Sequence, residues 1–312
     1  MTNNNRPLLE VKDLSVAFRM YNTGLEQTDL KVISDLTATV HEGEILAIAG
    51  SSGSGKSLLA HAILGILPDN AMVNGSLYYK GEPLTKKKQA ELRGKEIALV
   101  PQSISYLDPL MKVGKQVRGT DKSKSKITAQ KNIFRRFQLE EDTEKLYPFQ
   151  LSGGMARRVL VSTAVISDAS LIIADEPTPG MNLEQAMEAL QVFRELAKEG
   201  KGVILITHDI DLAFQFADKI AVFYAGTTLE IASTRDFLQG MDALRHPYSK
   251  ALWNALPQNG FQPIEGFQPY ANKLPEGCLF APRCNCRKEN CLNEKPNMRE
   301  LRDGYVRCFY AT

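Results

Sequence analysis

The sequence predicts an α/β protein built on a parallel sheet, and three observations carry that prediction. Leu171–Ala174 and Gly202–Thr207 are short, continuous apolar runs, the pattern of strands buried on both faces. Leu183–Glu199 between them reads as an amphipathic helix, which gives strand–helix–strand order. A glycine-rich octapeptide, Gly50–Ser57, follows directly on a further apolar strand at Glu44–Ala49.

The remaining elements follow in order. Leu8–Ala17 alternates imperfectly through Leu9, Val11, Leu14 and Val16, and Val32–Val40 repeats the pattern with Thr and Val, so both read as strands of an antiparallel β subdomain. Tyr21-Asn22-Thr23-Gly24 and Gln27-Thr28-Asp29 supply turn chemistry between them, and His41-Glu42-Gly43 makes a tight entry to the next strand. From about Glu91 to Ser167 the chain is polar and helical in character, which predicts a helical subdomain over about 95–167. The Lys-rich stretch Lys112–Lys131 reads as solvated surface. Beyond about Gly240 the α/β alternation gives way to a Pro- and Gly-rich tail, so residues 1–242 are expected to form one unit and 243–312 an extension.

With 312 residues the chain has room for a core plus an appendage, and 43% hydrophobic with 24% charged residues excludes disorder and collagen-like repeats. The balance of 38 Lys+Arg against 36 Asp+Glu is too even for a nucleic-acid-coating surface, so no nucleic-acid partner is expected. The longest apolar runs fall far short of the roughly 18–20 residues that span a bilayer. Met1–Arg6 lacks the apolar core of a secretory signal. The expectation is a cytosolic chain whose membrane contact comes through a partner.

All five cysteines fall between Cys278 and Cys308, with spacing C-x5-C-x-C-x4-C-x16-C. An odd count without a leader argues against a disulfide framework. Thiolates on short loops suit zinc or an iron–sulfur cluster, and free thiols remain the third reading.

Gly50-Ser51-Ser52-Gly53-Ser54-Gly55-Lys56-Ser57 fits G-x-x-x-x-G-K-[ST] between a strand and a helix. Its glycines let backbone N–H groups turn inward around phosphate oxygens, and the helix start adds its positive dipole end. Lys56 would pair with the β- and γ-phosphates and Ser57 would offer its hydroxyl to Mg2+. Leu171–Ala174 then ends in Asp175 and Glu176, which places one acid near the metal and the next where it can polarise a water.

Leu151-Ser152-Gly153-Gly154-Met155 separates this chain from other nucleotide hydrolases. With it, the sequence resembles the ATP-binding subunits of ABC transporters, whose signature is L-S-G-G-Q or, in peptide importers, L-S-G-G-M. The order matches as well: phosphate loop, Gln102, signature, acidic strand end, Thr207-His208-Asp209. The resemblance implies a P-loop NTPase core and ATP held by the loop together with Leu58. It implies Mg2+ on Ser57, Gln102 and Asp175, Glu176 as base, and His208 and Lys56 on the γ-phosphate. It also implies adenine stacked on Phe18, and Ser152, Gly153 and Gly154 acting in trans on the nucleotide of a second ATPase subunit, identical or similar. Met181-Asn182 departs from the family's Leu-Asp, which puts communication between the two ATP sites in doubt.

His246-Pro247-Tyr248-Ser249-Lys250-Ala251-Leu252 resembles the segment that opens the C-terminal extension of oligopeptide/dipeptide importer ATPases, and Gly277–Cys284 continues the likeness. The family pattern of four cysteines matches Cys278, Cys284, Cys291 and Cys308, with Cys286 extra, and implies a [4Fe-4S] cluster as one occupant. The resemblance therefore implies a peripheral ATPase on the cytoplasmic face of the membrane, driving membrane permease subunits that an extracytoplasmic substrate-binding protein serves. Peptides are the expected cargo, nickel or a metal chelate the alternative. A mainly nucleotide-binding subunit of an asymmetric heterodimer is the other alternative.

Overall fold

The computed structural model describes residues 6–21, 24, 26–51, 53–119 and 121–312. Its strands, in chain order, are β1 (Pro7–Tyr21), β2 (Gln27–His41), β3 (Ile45–Gly50), β4 (Ala71–Tyr79), β5 (Glu82–Pro83), β6 (Ile97–Val100), β7 (Leu171–Asp175), β8 (Gly202–Thr207), β9 (Lys219–Tyr224), β10 (Thr227–Ser233), β11 (Arg299–Leu301) and β12 (Gly304–Val306).

They form two sheets. A four-stranded sheet runs β2-β1-β4-β5 with antiparallel pairing throughout. The broken alternation of its first strand has a physical cause. Val11 pairs with Ala38 and Leu14 with Leu36, and the register shift between them falls at Asp13, whose φ is 49°. Asp tolerates that left-handed backbone, so the bulge turns Leu14 back onto the buried face.

The larger sheet runs β11-β12-β10-β9-β3-β8-β7-β6, and β3, β9, β8, β7 and β6 are parallel neighbours. Every residue of β3, β7 and β8 is buried, as continuous apolar runs demand. One apolar core lies between this sheet and the antiparallel sheet with helix Lys56–Leu64. The other holds the helices Gly153–Val165 and Leu183–Lys198 and part of the tail. Each fully buried Leu or Ile there contributes about 1.5–3 kcal/mol.

Two sequence expectations change. Ile97–Val100 is the edge strand of the main sheet, paired in parallel with β7, so the helical segment begins after Val100 and not near 95. A run of four residues is too short for periodicity to distinguish strand from helix. The tail does not leave the α/β layer either, because β12 pairs with β10 and extends the main sheet. Tyr248 and Phe280 of the tail pack on Tyr224, with ring centroids 4.6 and 5.5 Å away. The Lys-rich stretch is solvated only in part: Lys124 and Lys131 of helix Lys124–Arg136 are exposed, while Lys126 is half-buried and donates to the Ile166 carbonyl at 3.0 Å, and Val113, Gly114, Val117 and Gln130 are buried. Among the described residues no helix is long and apolar enough to cross a membrane.

Candidate functional site

The phosphate loop leaves the centre of the main sheet. Gly50 closes β3, and Gly55 caps helix Lys56–Leu64 with φ 94°, a left-handed conformation that favours glycine. Gly53 is exposed at the loop's turn, and Leu58 sits in the first helical turn, its N–H donating to the Gly55 carbonyl at 3.1 Å. Ser52 lies outside the described residues.

Lys56 is buried, and its ammonium donates to the Gly50 and Ser51 carbonyls, each at 2.8 Å. The Ser54 hydroxyl donates to the same Ser51 carbonyl at 2.8 Å, so the loop is wrapped around its own lysine. Burial pulls the Lys56 ammonium below its ordinary range, while Glu176 and Asp175 oppose that shift. A phosphate beside the ammonium would oppose that shift in the same sense as the two acids.

β7 ends beside the loop. Asp175 is 3% exposed, and its Oδ1 has no hydrogen-bond partner. Burial pushes the carboxyl up, the Ser57 hydroxyl and then the charges of His61 and Lys56 pull it down, and Glu176 adds to the rise. An orphaned, buried carboxylate oxygen beside a hydroxyl is a donor set that suits Mg2+, a hard cation bound through oxygen. The residues present therefore fit the ion.

Glu176 follows with φ 44°, a strained conformation for a non-glycine residue and one that clusters at functional sites. Its N–H donates to the Ile206 carbonyl of β8 at 2.9 Å. The turn aims the carboxylate between two side chains. Gln102 Nε2 donates to Oε2 at 2.9 Å, and His208 Nδ1 lies 3.2 Å from Oε1. Two residues 106 positions apart, Gln102 and His208, thus converge on Glu176. Arg157, missed as a site residue, braces the group: its guanidinium donates to the Pro101 carbonyl at 3.0 Å, one residue before Gln102.

Ser152 caps helix Gly153–Val165, its hydroxyl accepting from the Met155 N–H at 3.3 Å, and Gly153 faces open space. Gly154 sits close to the neighbouring loop, where a Cβ would stand 3.0 Å from the Gly180 carbonyl, a tight contact. Asn182 caps helix Leu183–Lys198, accepting from the Gln185 N–H at 2.9 Å. Phe18 lies within β1, opposite Leu30 and Ala71 and short of the strand's end at Tyr21, half-buried against the antiparallel sheet's core.

The expected metal site in the tail is not supported. All five cysteines are free, and Cys278, Cys284, Cys286, Cys291 and Cys308 border one small cavity. Yet among the described residues no set of three or more His, Cys, Asp or Glu side chains is arranged to hold a metal. Burial pushes the thiols of Cys278, Cys284 and Cys308 up, and Cys278 and Cys291 lie in the main apolar core with Cys284 packed against it. The [4Fe-4S] reading, drawn from spacing and resemblance, is corrected accordingly.

A parallel sheet with its phosphate loop at β3 and its acid at β7, flanked by an antiparallel sheet and a serine-capped glycine pair, is the architecture of an ATP-binding cassette ATPase. Comparison with known proteins agrees. The ABC transporter family matches residues 33–179, and the oligopeptide/dipeptide transporter C-terminal region matches residues 229–291. The oligopeptide transport ATP-binding protein OppD of Salmonella typhimurium is 35% identical, over 97% of this chain and 93% of its own. The dipeptide transport ATP-binding protein DppD of Haemophilus influenzae is 32% identical, over 96% and 94%. The dimeric structure of MJ0796, a bacterial ABC transporter cassette, matches with TM-score 0.63 and 25% identity over 73% of this chain and 99% of that one. The chain belongs to the oligopeptide/dipeptide family of ABC transporter ATP-binding proteins.

Proposed function

We propose that this chain is the ATP-hydrolysing subunit of an ABC importer for oligopeptides or dipeptides, acting on the cytoplasmic face of the membrane with separate permease subunits and a second ATPase subunit. One observation carries the hydrolytic reading: the Glu176 carboxylate stands at the end of β7, gripped by Gln102 and His208 and adjacent to the phosphate loop. The printed names of the relatives support the peptide cargo. The cassette would run to about residue 242 and the extension from 243, which supplies packing and sheet pairing to the cassette.

In this reading the backbone N–H groups of the loop and the start of helix Lys56–Leu64 receive the phosphates, and Lys56 holds the terminal ones. Mg2+ supplies charge neutralisation on the phosphate oxygens when bound, with Ser57, Asp175 and the Gln102 carbonyl as its protein ligands. Glu176 accepts the proton of the attacking water, and His208 and Gln102 orient the carboxylate toward that water. Phe18 offers its ring to adenine. Ser152, Gly153 and Gly154 reach the nucleotide of the partner subunit, which calls for a dimer with ATP between its halves.

The test is reconstitution of the chain with its permease subunits in vesicles, with internalised peptide and released phosphate measured together. Peptide-stimulated hydrolysis that disappears in Lys56→Ala is the expected result. Hydrolysis stimulated by nickel and not by peptide would overturn the cargo assignment. Absence of nucleotide binding would overturn the site.

A further inference from the structure

A contact between the tail and the phosphate loop assigns a role to a residue that no motif marks. The Ser51 hydroxyl donates to Gln268 Oε1 at 2.6 Å, joining positions 217 residues apart. Gln268 lies in the irregular stretch between the helix Pro247–Asn254 and the cysteine-bearing segment. That stretch is pinned on both sides of it. On the N-terminal side the Arg283 guanidinium donates to the Ile264 and Glu265 carbonyls at 3.0 and 2.7 Å and lies over the Tyr224 ring. On the C-terminal side the turn Ala271–Lys273 lies along β2, and Leu274 packs on the main core. Between these anchors Gln268 and Pro269 are half-buried, while the neighbouring Phe267 and Tyr270 are exposed.

Ser51 is therefore gripped from two directions. Its carbonyl is held from within the loop by Lys56 and Ser54, and its hydroxyl from outside by the tail. We propose that Gln268 is a positioning residue of the nucleotide site, fixing Ser51 and with it the entrance of the phosphate loop, so that the C-terminal extension sets nucleotide affinity. The inference rests on the nucleotide-site reading above. A loop ordered before its ligand arrives loses less conformational freedom on binding, and the gain appears as affinity and not as a faster chemical step.

The experiment uses the full chain assembled with its permease subunits. Gln268→Met keeps the length of the side chain and removes the acceptor. The Kd for Mg·ATP and the KM should rise about two- to tenfold, the range for one net hydrogen bond, with kcat within about twofold. Ser51→Ala removes the same bond from the loop side and should give the same shift. The double variant should be no weaker than either single one, because only one bond is there to lose. Unchanged affinity in Gln268→Met overturns the proposal, as does a double variant whose shift is the product of the two single shifts. If the wild-type chain binds no nucleotide, the site reading fails; if it binds and Gln268→Met binds equally well, only the role of Gln268 fails.

Discussion

Arg245→Ala tests how firmly the tail is built into the cassette. Arg245 is 2% exposed and Glu230, on β10, is 0% exposed. The guanidinium lies 3.3 Å from Glu230 Oε1 and 2.8 Å from Asp236 Oδ2, and it donates to the Leu301 carbonyl at 2.6 Å and to the Arg302 carbonyl. It therefore links β10, the helix Thr234–Gln239 and the β11–β12 turn through one charge. Truncation leaves the Glu230 carboxylate buried with only the N–H groups of Arg245 and His246 as donors, at 2.9 and 2.8 Å. Breaking a buried pair from one side costs about 3–5 kcal/mol. Denaturant unfolding of the purified chain should show a loss of that size. In Arg245→Met with Glu230→Gln the fully buried charges are gone and only the partly exposed Asp236 carboxylate is left without its partner, so most of it should return. A loss below about 1 kcal/mol in Arg245→Ala, or a double variant as unstable as the single one, would refute the reasoning that the Arg245–Glu230 pair carries the loss.

Two further outcomes follow from the site and the tail. Glu176→Gln keeps the shape of the carboxylate and removes the base, so turnover by the assembled complex should fall about 10²–10⁴-fold while ATP binding persists; turnover within about tenfold of wild type would move the base elsewhere. His246 is buried, its Nδ1 accepts from the Tyr248 N–H at 2.9 Å, and burial lowers its pKa from 6.5 to about 3, opposed by the Arg307 backbone. Above pH 6.5 the ring is neutral folded or unfolded; below it the unfolded chain binds the proton first, so stability should fall as pH drops from 6.5 toward about 3. Unfolding curves at about pH 7.5 and about pH 4.5 should show a smaller acid loss in His246→Asn, whose Oδ1 replaces Nδ1 as acceptor; an equal loss would place the acid sensitivity on other groups.

The residues proposed for the nucleotide site could be picked out because their motifs encode local backbone geometry. The glycines of the phosphate loop, the acids closing an apolar strand and the histidine after the next strand each carry their position in a few neighbours. Asn182 was legible only as a departure, and its helix-capping bonds give the substitution a local role. Long-range pairing was not legible. β11 and β12 are three residues each, too short for any alternation to register, and they find their place only because β10 offers an edge. The cysteine spacing suggested ligands, yet spacing along the chain does not report whether thiols converge in ligand geometry or pack as small apolar groups. Gln268 had no local signal at all, since a single polar residue among Pro, Gly and aromatics looks like any loop residue.

The hairpin at the end of the chain also bears on solubility. Without it, β10 would present a row of unpaired N–H and C=O groups along a strand whose residues from Thr227 to Ala232 are buried, the kind of border that recruits strands from other molecules. β12 pairs with the middle of that edge at Glu230 and Ile231, β11 pairs with β12 in turn, and this new outermost strand is only three residues long and begins with the exposed pair Arg299 and Glu300. A brief, charged border is a poor template for further pairing. Removing the last dozen or so residues should therefore turn a monodisperse preparation into one that self-associates, even where the nucleotide pocket is intact.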